Sequence, residues 1–323
     1  MATPFIEAKV NGSAVRDGFY NRLVSASIVD NAEDIADTCE LTFDDADNAV
    51  AIPPAGAKLQ LDFGYRPGGA AKMGLFEIEK PKIRGGSGGE FITLSGRSTD
   101  MRKAVKEPAD EHFDDMSAGE IVRQLADRHG YDAKVSESFD QLVIPYIART
   151  NQSTADFLSR LARRTGAQFS IKDGKFLFLE PGILAPITID KAECTSWSFS
   201  IEPRPTYGNA KAGWYDRTTN TVQTTTAETG LEGPSKTLRT TYATKEEAEA
   251  AARSEAARQA AKTGSGSITM AGRTDILAGT TINATGFRKE ASGLWYVKSV
   301  RHQFSNGYTV QISLEATKEG KKA

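Results

Sequence analysis

The chain has 323 residues, 39% of them hydrophobic and 25% charged, so it is long enough for two or three domains that each bury a core. Its 40 lysines and arginines nearly balance 42 aspartates and glutamates, which disfavours the class of nucleic-acid-binding proteins, because these usually carry a basic excess. No apolar run approaches the roughly 18–20 residues of a membrane span, and the N-terminus does not resemble a signal peptide.

The first 100 residues alternate polar and apolar side chains in short runs that are separated by turn residues. This period of two indicates antiparallel strands with one buried face, and we predict a first β-barrel over residues 1–104. The predicted strands are Phe5–Val10, Leu23–Val29, Thr38–Phe43, Lys58–Phe63 and Phe91–Ser95. The glycine-rich stretch Gly85–Gly89 is predicted as an exposed hairpin loop, because a phosphate cradle would need a helix directly after it.

Residues 105–182 contain a different repeat, in which a helix is followed by a strand. The two helices run from Ser117 to Gly130 and from Ser153 to Gly166. Each has a capping serine with an acid three residues later, an apolar stripe, and a glycine suited to a left-handed C-cap. The second unit continues through a two-residue hairpin signal into a strand at Phe176–Glu180. We therefore predict an inserted α+β domain.

Residues 183–317 return to strands, with one alanine-rich helix at 245–262, and we predict a second β-barrel there. The helix opens with a capping box at Thr244–Glu247, and alanine is its only packing side chain. It either crosses the surface of one barrel or docks a partner subunit. For docking, the candidate residues are Arg253, Ala257 and Arg258. The charged tail, residues 318–323, is predicted to be disordered.

The two predicted barrels share a sequence echo. Ala55–Tyr65 is echoed by Ala278–Phe287, and Gly74-Leu75-Phe76 by Gly293-Leu294-Trp295. In each copy two alternating strands follow: Glu77–Arg84 and Glu90–Gly96 in the first, Tyr296–Phe304 and Tyr308–Glu315 in the second. The fold class is thus α+β, mainly β: two similar antiparallel β-barrels with an inserted α+β domain. A duplicated unit lets a chain form a ring with twice as many units as subunits, which favours an architectural role.

The residues with reactive or metal-binding side chains form no catalytic pattern. The three histidines, His112, His129 and His302, lie on different elements without metal-ligand spacing, and no standard hydrolase, zinc or P-loop motif is present. The cysteines, Cys39 and Cys194, lie in predicted strands, which favours inert thiols in a chain made in a reducing cytoplasm. We predict no catalytic, cofactor or metal site.

For the clusters of like charge we prefer a structural interpretation, as a turn or a solvated face, to a binding site. The acids between Asp44 and Asn48 follow a strand and are predicted as an acidic turn, with Ca²⁺ binding as the alternative. A second acid pair, Asp114-Asp115, could suggest glycoside hydrolysis or a divalent ion. The basic pairs Arg102-Lys103 and Arg163-Arg164 are predicted as solvated faces rather than phosphate sites.

A series of motifs follows in a fixed order along the chain: Ile144-Pro145-Tyr146, Asp156–Ala162, Gly166-Ala167, Lys175–Phe178, Trp197-Ser198-Phe199, Tyr207–Ala210 and Trp214-Tyr215-Asp216. These motifs and their order resemble the late control gene D family, whose members are baseplate hubs of contractile phage tails. The same unit is similar to the N-terminal part of type VI secretion spike proteins. This chain has no β-helical spike of its own, so we expect the spike to be a separate polypeptide.

The resemblance implies a homotrimer in which each chain gives two barrels, so that a pseudo-sixfold ring joins the hexameric tail tube to the trimeric spike. The implied partners are the spike, the tube or tube-initiator protein, the tape-measure protein and other baseplate proteins. It implies no cofactor, no specific nucleic acid and no membrane insertion. The implied location is the tail baseplate of the virion, after synthesis in the host bacterial cytoplasm.

Two alternatives from other classes stay open. A peptidoglycan-degrading tail protein would need a buried carboxylate pair or a zinc-ligand set. A DNA-binding late regulator would need a basic recognition helix, and the closest candidate is the helix with Arg160, Arg163 and Arg164. Turbidity of cell-wall fragments and a gel shift at physiological salt test the two.

Overall fold

The structure is a computed structural model that describes residues 2–15, 17–32, 36–54, 56–79, 81–98, 103–172, 174–182, 185–202 and 207–321. Ala55 of the sequence echo, Arg102 of one basic pair and the last two residues of the tail lie outside these ranges. The described chain is mainly β with antiparallel sheets and α-helices.

The first part of the chain is almost entirely strand, as its period of two predicts. The elements are β1 (Thr3–Val10), β2 (Ser13–Ala14), α1 (Asp17–Arg22), β3 (Leu23–Asn31), β4 (Thr38–Asp44), β5 (Lys58–Arg66), β6 (Ala70–Ile78), β7 (Lys82–Gly86) and β8 (Gly89–Ser98). The predicted glycine-rich hairpin is confirmed, because Gly86 pairs with Gly89 across the turn between β7 and β8. The predicted strand Glu77–Arg84 is divided between the end of β6 and the start of β7.

The middle part holds both predicted helices, each with its predicted caps. The elements are β9 (Ala109–Ser117), α2 (Ala118–His129), β10 (Asp132–Val135), β11 (Val143–Gln152), α3 (Thr154–Thr165), β12 (Gln168–Lys172) and β13 (Lys175–Leu179). Ser117 and Ser153 accept hydrogen bonds from the backbone N–H of the acid three residues later, and Gly130 and Gly166 are left-handed C-caps. The strands pair as β10-β13-β12 and β9-β11, around their own core.

The last part contains the second set of long strands and the alanine-rich helix. The elements are β14 (Ile187–Asp190), β15 (Cys194–Ile201), β16 (Asn209–Asp216), β17 (Thr221–Glu228), β18 (Ser235–Tyr242), α4 (Lys245–Ala261), β19 (Gly264–Ala271), β20 (Thr281–Thr285), β21 (Gly293–Phe304) and β22 (Tyr308–Ala316). Strands β17-β16-β18 form a separate small sheet, and α4 packs on it through Ala248, Ala251 and Ala252.

The large sheet repeats one strand order twice. Its path runs β15-β19-β22-β21-β3-β4-β8-β6-β5-β1-β2, with β20 beside β21, β14 beside β20, and β7 beside β8. Reading outward from β3, the first half is β3-β4-β8-β6-β5-β1; reading outward from β15, the second half is β15-β19-β22-β21-β20-β14. When the six strands of each half are numbered by their order along the chain, both halves have the sheet order 2-3-6-5-4-1. Strand β21 corresponds to β6 and β7 together.

The two halves also agree residue by residue in register. Opposed pairs in the hairpins of the sequence echo are Leu59–Phe76 and Leu61–Gly74 in the first half, and Ile282–Trp295 and Ala284–Gly293 in the second. A register shift follows Leu23 where β3 pairs with β4, and the corresponding shift follows Cys194 where β15 pairs with β19. One difference is that β1 is antiparallel to β5, whereas β14 is parallel to β20.

The two halves meet through β3 and the C-terminal part of β21, which pair antiparallel from Ser299–Asn31 to Phe304–Ala26. Their apolar faces join in one core, which contains Phe63, Phe76 and Trp295. Over the described residues the strand pairings form an open path and close neither half into a barrel. The observed fold is therefore one continuous, internally repeated sheet.

The ends of two predicted elements differ from expectation. The helix α4 ends at Ala261, one residue before the predicted end, with Lys262 as its right-handed C-cap. The tail is predicted to be disordered, but Lys321 is buried. Its ammonium group lies over the ring of Trp295 and donates a hydrogen bond to the carbonyl of Ser292. Burial lowers the pKa of Lys321 to about 8.

Candidate partner-binding surfaces

The residues predicted for docking lie on the outer side of α4, but most of that helix is occupied within the chain. Arg253 and Arg258 are exposed and Ala257 is half-buried, whereas the alanines toward the small sheet are buried. Both arginines already face acids of the same helix, Glu249 and Glu255. The inner face of α4 is therefore an intramolecular contact, and only its outer rim is available to a partner.

Helix α4 is also bound to α3 of the middle part, through residues whose partners are distant in sequence. The Arg164 guanidinium donates to the Glu247 carboxylate, which is almost completely buried, and lies 5.0 Å from the centre of the Tyr242 ring. The Ser254 hydroxyl donates to the carbonyl of Arg163 at 2.6 Å. The prediction that Arg163-Arg164 forms a solvated face is wrong for Arg164.

The third arginine of α3 is likewise in use. Arg160 donates to the carbonyl of Ala148 and lies over the ring of Phe157 at 5.3 Å. Burial lowers its pKa. The helix considered as a DNA-recognition element therefore directs two of its three guanidinium groups into contacts within the chain.

A second junction joins the middle part to the large sheet. Lys172 of β12 forms ion pairs with Asp30, at the end of β3, and with Asp37 at 3.6 Å. The other carboxylate oxygen of Asp30 accepts from the backbone N–H of Ala278 at 2.7 Å. Burial raises the pKa of Asp37 to about 6. The negative charge of Asp30 adds to this increase, whereas the positive charge of Lys172 opposes it. These residues line a cavity of about 540 Å³ between the two parts.

The histidines and cysteines are not brought together. His302 is buried in β21, its Nδ1 lies 2.8 Å from the Tyr308 hydroxyl, and burial lowers its pKa to about 4. His129 contacts the Thr154 hydroxyl at 2.8 Å, while His112 is exposed on β9. Both thiols are free, and burial raises the pKa of Cys39 to about 12. Neither cysteine has the lowered pKa of a reactive thiol.

The acidic segment after β4 folds as a turn. Asp45 accepts from the backbone N–H of Val50 at 2.8 Å, and Asp47 accepts two hydrogen bonds from Arg22 at 2.5 and 2.6 Å. Among the residues that the structure describes, no group of three or more His, Cys, Asp or Glu side chains could hold a metal ion. In the same residues, no helix is both long and apolar enough to span a membrane.

Strands β7 and β15 are among the strands of the large sheet that present an unpaired edge. Within the described ranges β7 is hydrogen-bonded only to β8, and β15 only to β19. Each edge carries an exposed apolar side chain: Ile83 of β7 is 67% exposed and Trp197 of β15 is 44% exposed. An unpaired row of backbone N–H and C=O groups is a template for pairing with another strand.

The face of the large sheet opposite its core is rich in serine and threonine in both halves. Because side chains alternate between faces, the register pairs place these residues on one side. They are Ser25, Ser27, Thr38, Thr42, Thr93 and Ser95 in the first half, and Ser196, Ser198, Ser200, Ser265, Ser267, Thr269 and Ser313 in the second. This polar face is continuous across the junction of β3 and β21.

Comparison with known proteins agrees with this architecture. The family model for the phage tail baseplate hub (GPD) matches residues 91–308, which is more than half of the chain. A probable baseplate hub protein of Escherichia phage 186 is 26% identical over 362 residues, covering 97% of this chain and 92% of that protein.

Two solved structures show the same fold. The 43 kDa tail protein of prophage MuSo2 from Shewanella oneidensis has a TM-score of 0.74 at 14% identity, covering 99% of this chain and all of the other. The E. coli c3393 protein, a component of the type VI secretion system, has a TM-score of 0.56 at 12% identity, covering 99% of this chain and 79% of the other. Because the family model matches more than half of the chain, including the whole middle part, the chain belongs to the phage tail baseplate hub family.

Proposed function

We propose that this baseplate hub protein acts as a homotrimer whose three chains form a ring of six similar β-units. The observation that carries the proposal is the repeated strand order and register of the large sheet. We take each half as one of the two barrel-type units that the sequence predicts. A trimer of such chains presents six similar units to a sixfold partner and three identical chains to a threefold partner.

The polar face of the sheet is the proposed lining of a central channel. Its serines and threonines offer hydroxyl groups without charge, and phosphate contacts from lysine and arginine dominate the affinity of proteins for DNA. The charged residues on this face are of both signs: Glu40 and Glu315 are acidic, and Lys82, Arg84, Arg97 and Arg301 are basic. The hydroxyl-rich part of the lining offers no charged contact to phosphate, which favours the passage of DNA or another polyanion.

The proposed ring joins a partner of sixfold symmetry to a partner of threefold symmetry, and this defines the proposed partners. The sixfold rim contacts the tail tube or its initiator protein, and the threefold rim contacts a trimeric spike formed by a separate polypeptide. Tape-measure and other baseplate proteins complete the contacts, with Arg253, Ala257 and Arg258 as candidate docking residues. The role is structural and non-enzymatic, in the virion baseplate, after synthesis in the host cytoplasm.

The division of the chain is part of the same proposal. Residues 1–104 and 183–317 form the two ring units, and residues 105–182 form a domain outside the ring. Support comes from the separate core of the middle part. The ion pairs of Lys172 and Arg164 fix that domain to the sheet and to α4, so its removal would leave Asp30 and Glu247 without their cationic partners.

Electron microscopy of the purified chain tests the proposal. The expected images are rings with a central channel, and their averages show six similar inner densities and three outer ones. Single globular particles without a channel would contradict it. A fall in the turbidity of cell-wall fragments would contradict the non-enzymatic role.

A further inference from the structure

A cavity of about 540 Å³ lies where the middle part of the chain meets both halves of the large sheet. Its lining includes residues of β3 and β6 in the first half, of β12 in the middle part and of β21 in the second half. Lys72, Glu180 and Leu277 are exposed members of the lining, so the cavity opens to solvent at this mouth. Its volume lies within the roughly 300–1,000 Å³ that is typical of ligand sites.

The buried wall of the cavity carries an unused hydrogen-bond acceptor. His302 is fully buried, and its Nδ1 lies 2.8 Å from the Tyr308 hydroxyl, which donates to the carbonyl of Arg273 at 3.3 Å. Because that hydroxyl has one proton and gives it to the carbonyl, Nδ1 is the donor and Nε2 carries a lone pair. Nε2 has no hydrogen-bond partner among the residues that the structure describes. A buried acceptor without a partner is uncommon, because nothing offsets its desolvation.

The register places this histidine beside the acidic side of the cavity. His302 lies opposite Ile28, and Asp30 is two residues further along β3, so His302 and Asp30 are diagonal neighbours on one face of the sheet. The charge of Asp30 acts on the imidazole, where it opposes the lowering of the pKa by burial. A ligand that contacts Nε2 must therefore donate a hydrogen bond, in surroundings that favour a positive charge.

Two carboxylates in the cavity share one ammonium group. Lys172 pairs with Asp30, and its Nζ lies 3.6 Å from Oδ2 of Asp37, which is too far for a hydrogen bond. The other oxygen of Asp37 accepts from the backbone N–H of Asn31 at 2.8 Å. Burial and the charge of Asp30 raise the pKa of Asp37 to about 6, although Lys172 opposes this increase. One oxygen of Asp37 is thus left for a further donor.

We propose that this cavity binds a guanidinium group, carried either by an arginine side chain of a partner protein or by a small molecule. A guanidinium has five N–H donors on one planar cation, so a single ligand offers donors to both Asp37 and Nε2 of His302. The described lining has more acids than lysines, and these residues are Asp30, Asp37, Glu180, Lys72 and Lys172. The site lies within one chain, so it goes beyond the proposed function and does not depend on a ring.

Isothermal titration calorimetry of the full chain at pH 8 tests the charge of the ligand. The probes are N-acetyl-arginine amide and N-acetyl-citrulline amide, which has nearly the same shape without the charge. The arginine probe should bind at least about tenfold more tightly. Equal binding of the two probes, or no binding of either, would overturn the proposal.

Free L-arginine separates the two sources of the guanidinium group. Binding of the acetylated amide at least as tight as that of the free amino acid supports an arginine side chain of a polypeptide. Tighter binding of the free amino acid supports a small molecule. Both results support a guanidinium site.

The variant Asp37→Asn tests where the ligand binds. It keeps the shape of the side chain and an oxygen that accepts from Asn31, so the expected change is loss of the charge. The affinity for the arginine probe should fall by about tenfold or more. Asp47→Asn removes an acid that pairs with Arg22 outside the cavity, and it should bind like the unaltered chain. Equal affinity of the two variants would overturn the assignment to Asp37.

Proton release gives a second readout for Asp37. At pH 6 this carboxyl is about half protonated before binding, and a bound cation needs the carboxylate. Binding at pH 6 should therefore release up to about half a proton, measured in two buffers of different ionisation enthalpy, whereas binding at pH 8 should release none. Burial lowers the pKa of His302 to about 4, so the histidine is uncharged at both pH values. Binding without proton release at pH 6 would overturn the role of Asp37.

Nitrogen NMR of the full chain with labelled histidine reports on the acceptor itself. The Nε2 signal of His302 should move when the arginine probe is added, and the variant His302→Gln identifies this signal by its loss. The signals of His112 and His129, which do not line the cavity, should stay in place. An unmoved His302 signal at saturating arginine probe would overturn the contact with Nε2.

Discussion

The contact between Arg164 and Glu247 fixes the middle part of the chain to α4, and its removal should be costly. The Glu247 side chain is only 2% exposed, and Arg164 supplies its cationic partner from a helix 83 residues away in sequence. In Arg164→Ala the carboxylate stays buried with one weak backbone donor, the N–H of Ala243 at 3.2 Å. Loss of one partner of a buried ion pair costs about 3–5 kcal/mol.

We expect the free energy of unfolding of Arg164→Ala to fall by about 3 kcal/mol at pH 7, the lower end of that range, because the N-terminus of α4 still stabilises the carboxylate. The neighbouring Arg163→Ala is the matched control. The Arg163 side chain is exposed and only its carbonyl is used, so the expected change is within about 0.5 kcal/mol. Urea unfolding measures both variants.

The double variant Arg164→Leu/Glu247→Leu distinguishes a buried unpaired charge from general loss of packing. Replacing both ions by apolar groups removes the unpaired carboxylate, so the double variant should regain much of the stability lost in Arg164→Ala. Equal stability of Arg164→Ala and Arg163→Ala would refute the reasoning. A double variant no more stable than Arg164→Ala would show that the ion pair itself is not the source.

Three further predictions concern the core, the alanine helix and the sheet edge. Because burial lowers the pKa of His302 to about 4, the unfolded chain binds this proton more tightly, and stability should fall by up to about 3 kcal/mol between pH 6.5 and pH 4. Denaturant unfolding across that range should show a smaller fall in His302→Gln. Ala252→Leu should cost about 1–3 kcal/mol by overpacking, whereas Ala257→Leu on the outer rim should change the melting temperature little. Because Ile83 is exposed on a strand with an unpaired edge, Ile83→Asp should weaken the proposed trimer in size-exclusion chromatography, and Val222→Asp, at a residue 59% exposed on the separate small sheet, should leave it intact.

The sequence is most informative where one local rule decides the structure. A serine, an acid three residues later and a terminal glycine determine the ends of α2 and α3 within one residue. The echo Gly74-Leu75-Phe76 and Gly293-Leu294-Trp295 predicts a duplicated unit because the same residues occupy the same register positions. These features depend on neighbours close in sequence or on direct repetition.

Other features depend on residues that meet only after folding. Helix α4 has no large apolar side chain, so its pattern could not distinguish a surface helix from one buried against a separate small sheet. Arg164 looked like a solvated residue because Glu247 lies far along the chain. Strands β9 and β11 were not predicted, since exposed residues such as His112 and Tyr146 interrupt their apolar pattern.

The barrel prediction shows the same limit at the level of topology. Alternating strands predict a sheet with one buried face, but they do not say which edges pair. The pairing of β3 with β21 joins the two halves into one sheet, and this contact links residues more than 250 positions apart.

Native mass spectrometry of the purified chain alone tests the trimeric ring most directly. The proposed ring consists of copies of this chain alone, so we expect it to assemble without the spike. The account predicts one dominant species with three times the 34.9 kDa of a single chain. A monomer or a dimer as the dominant species, at concentrations where the chain is folded, would contradict it.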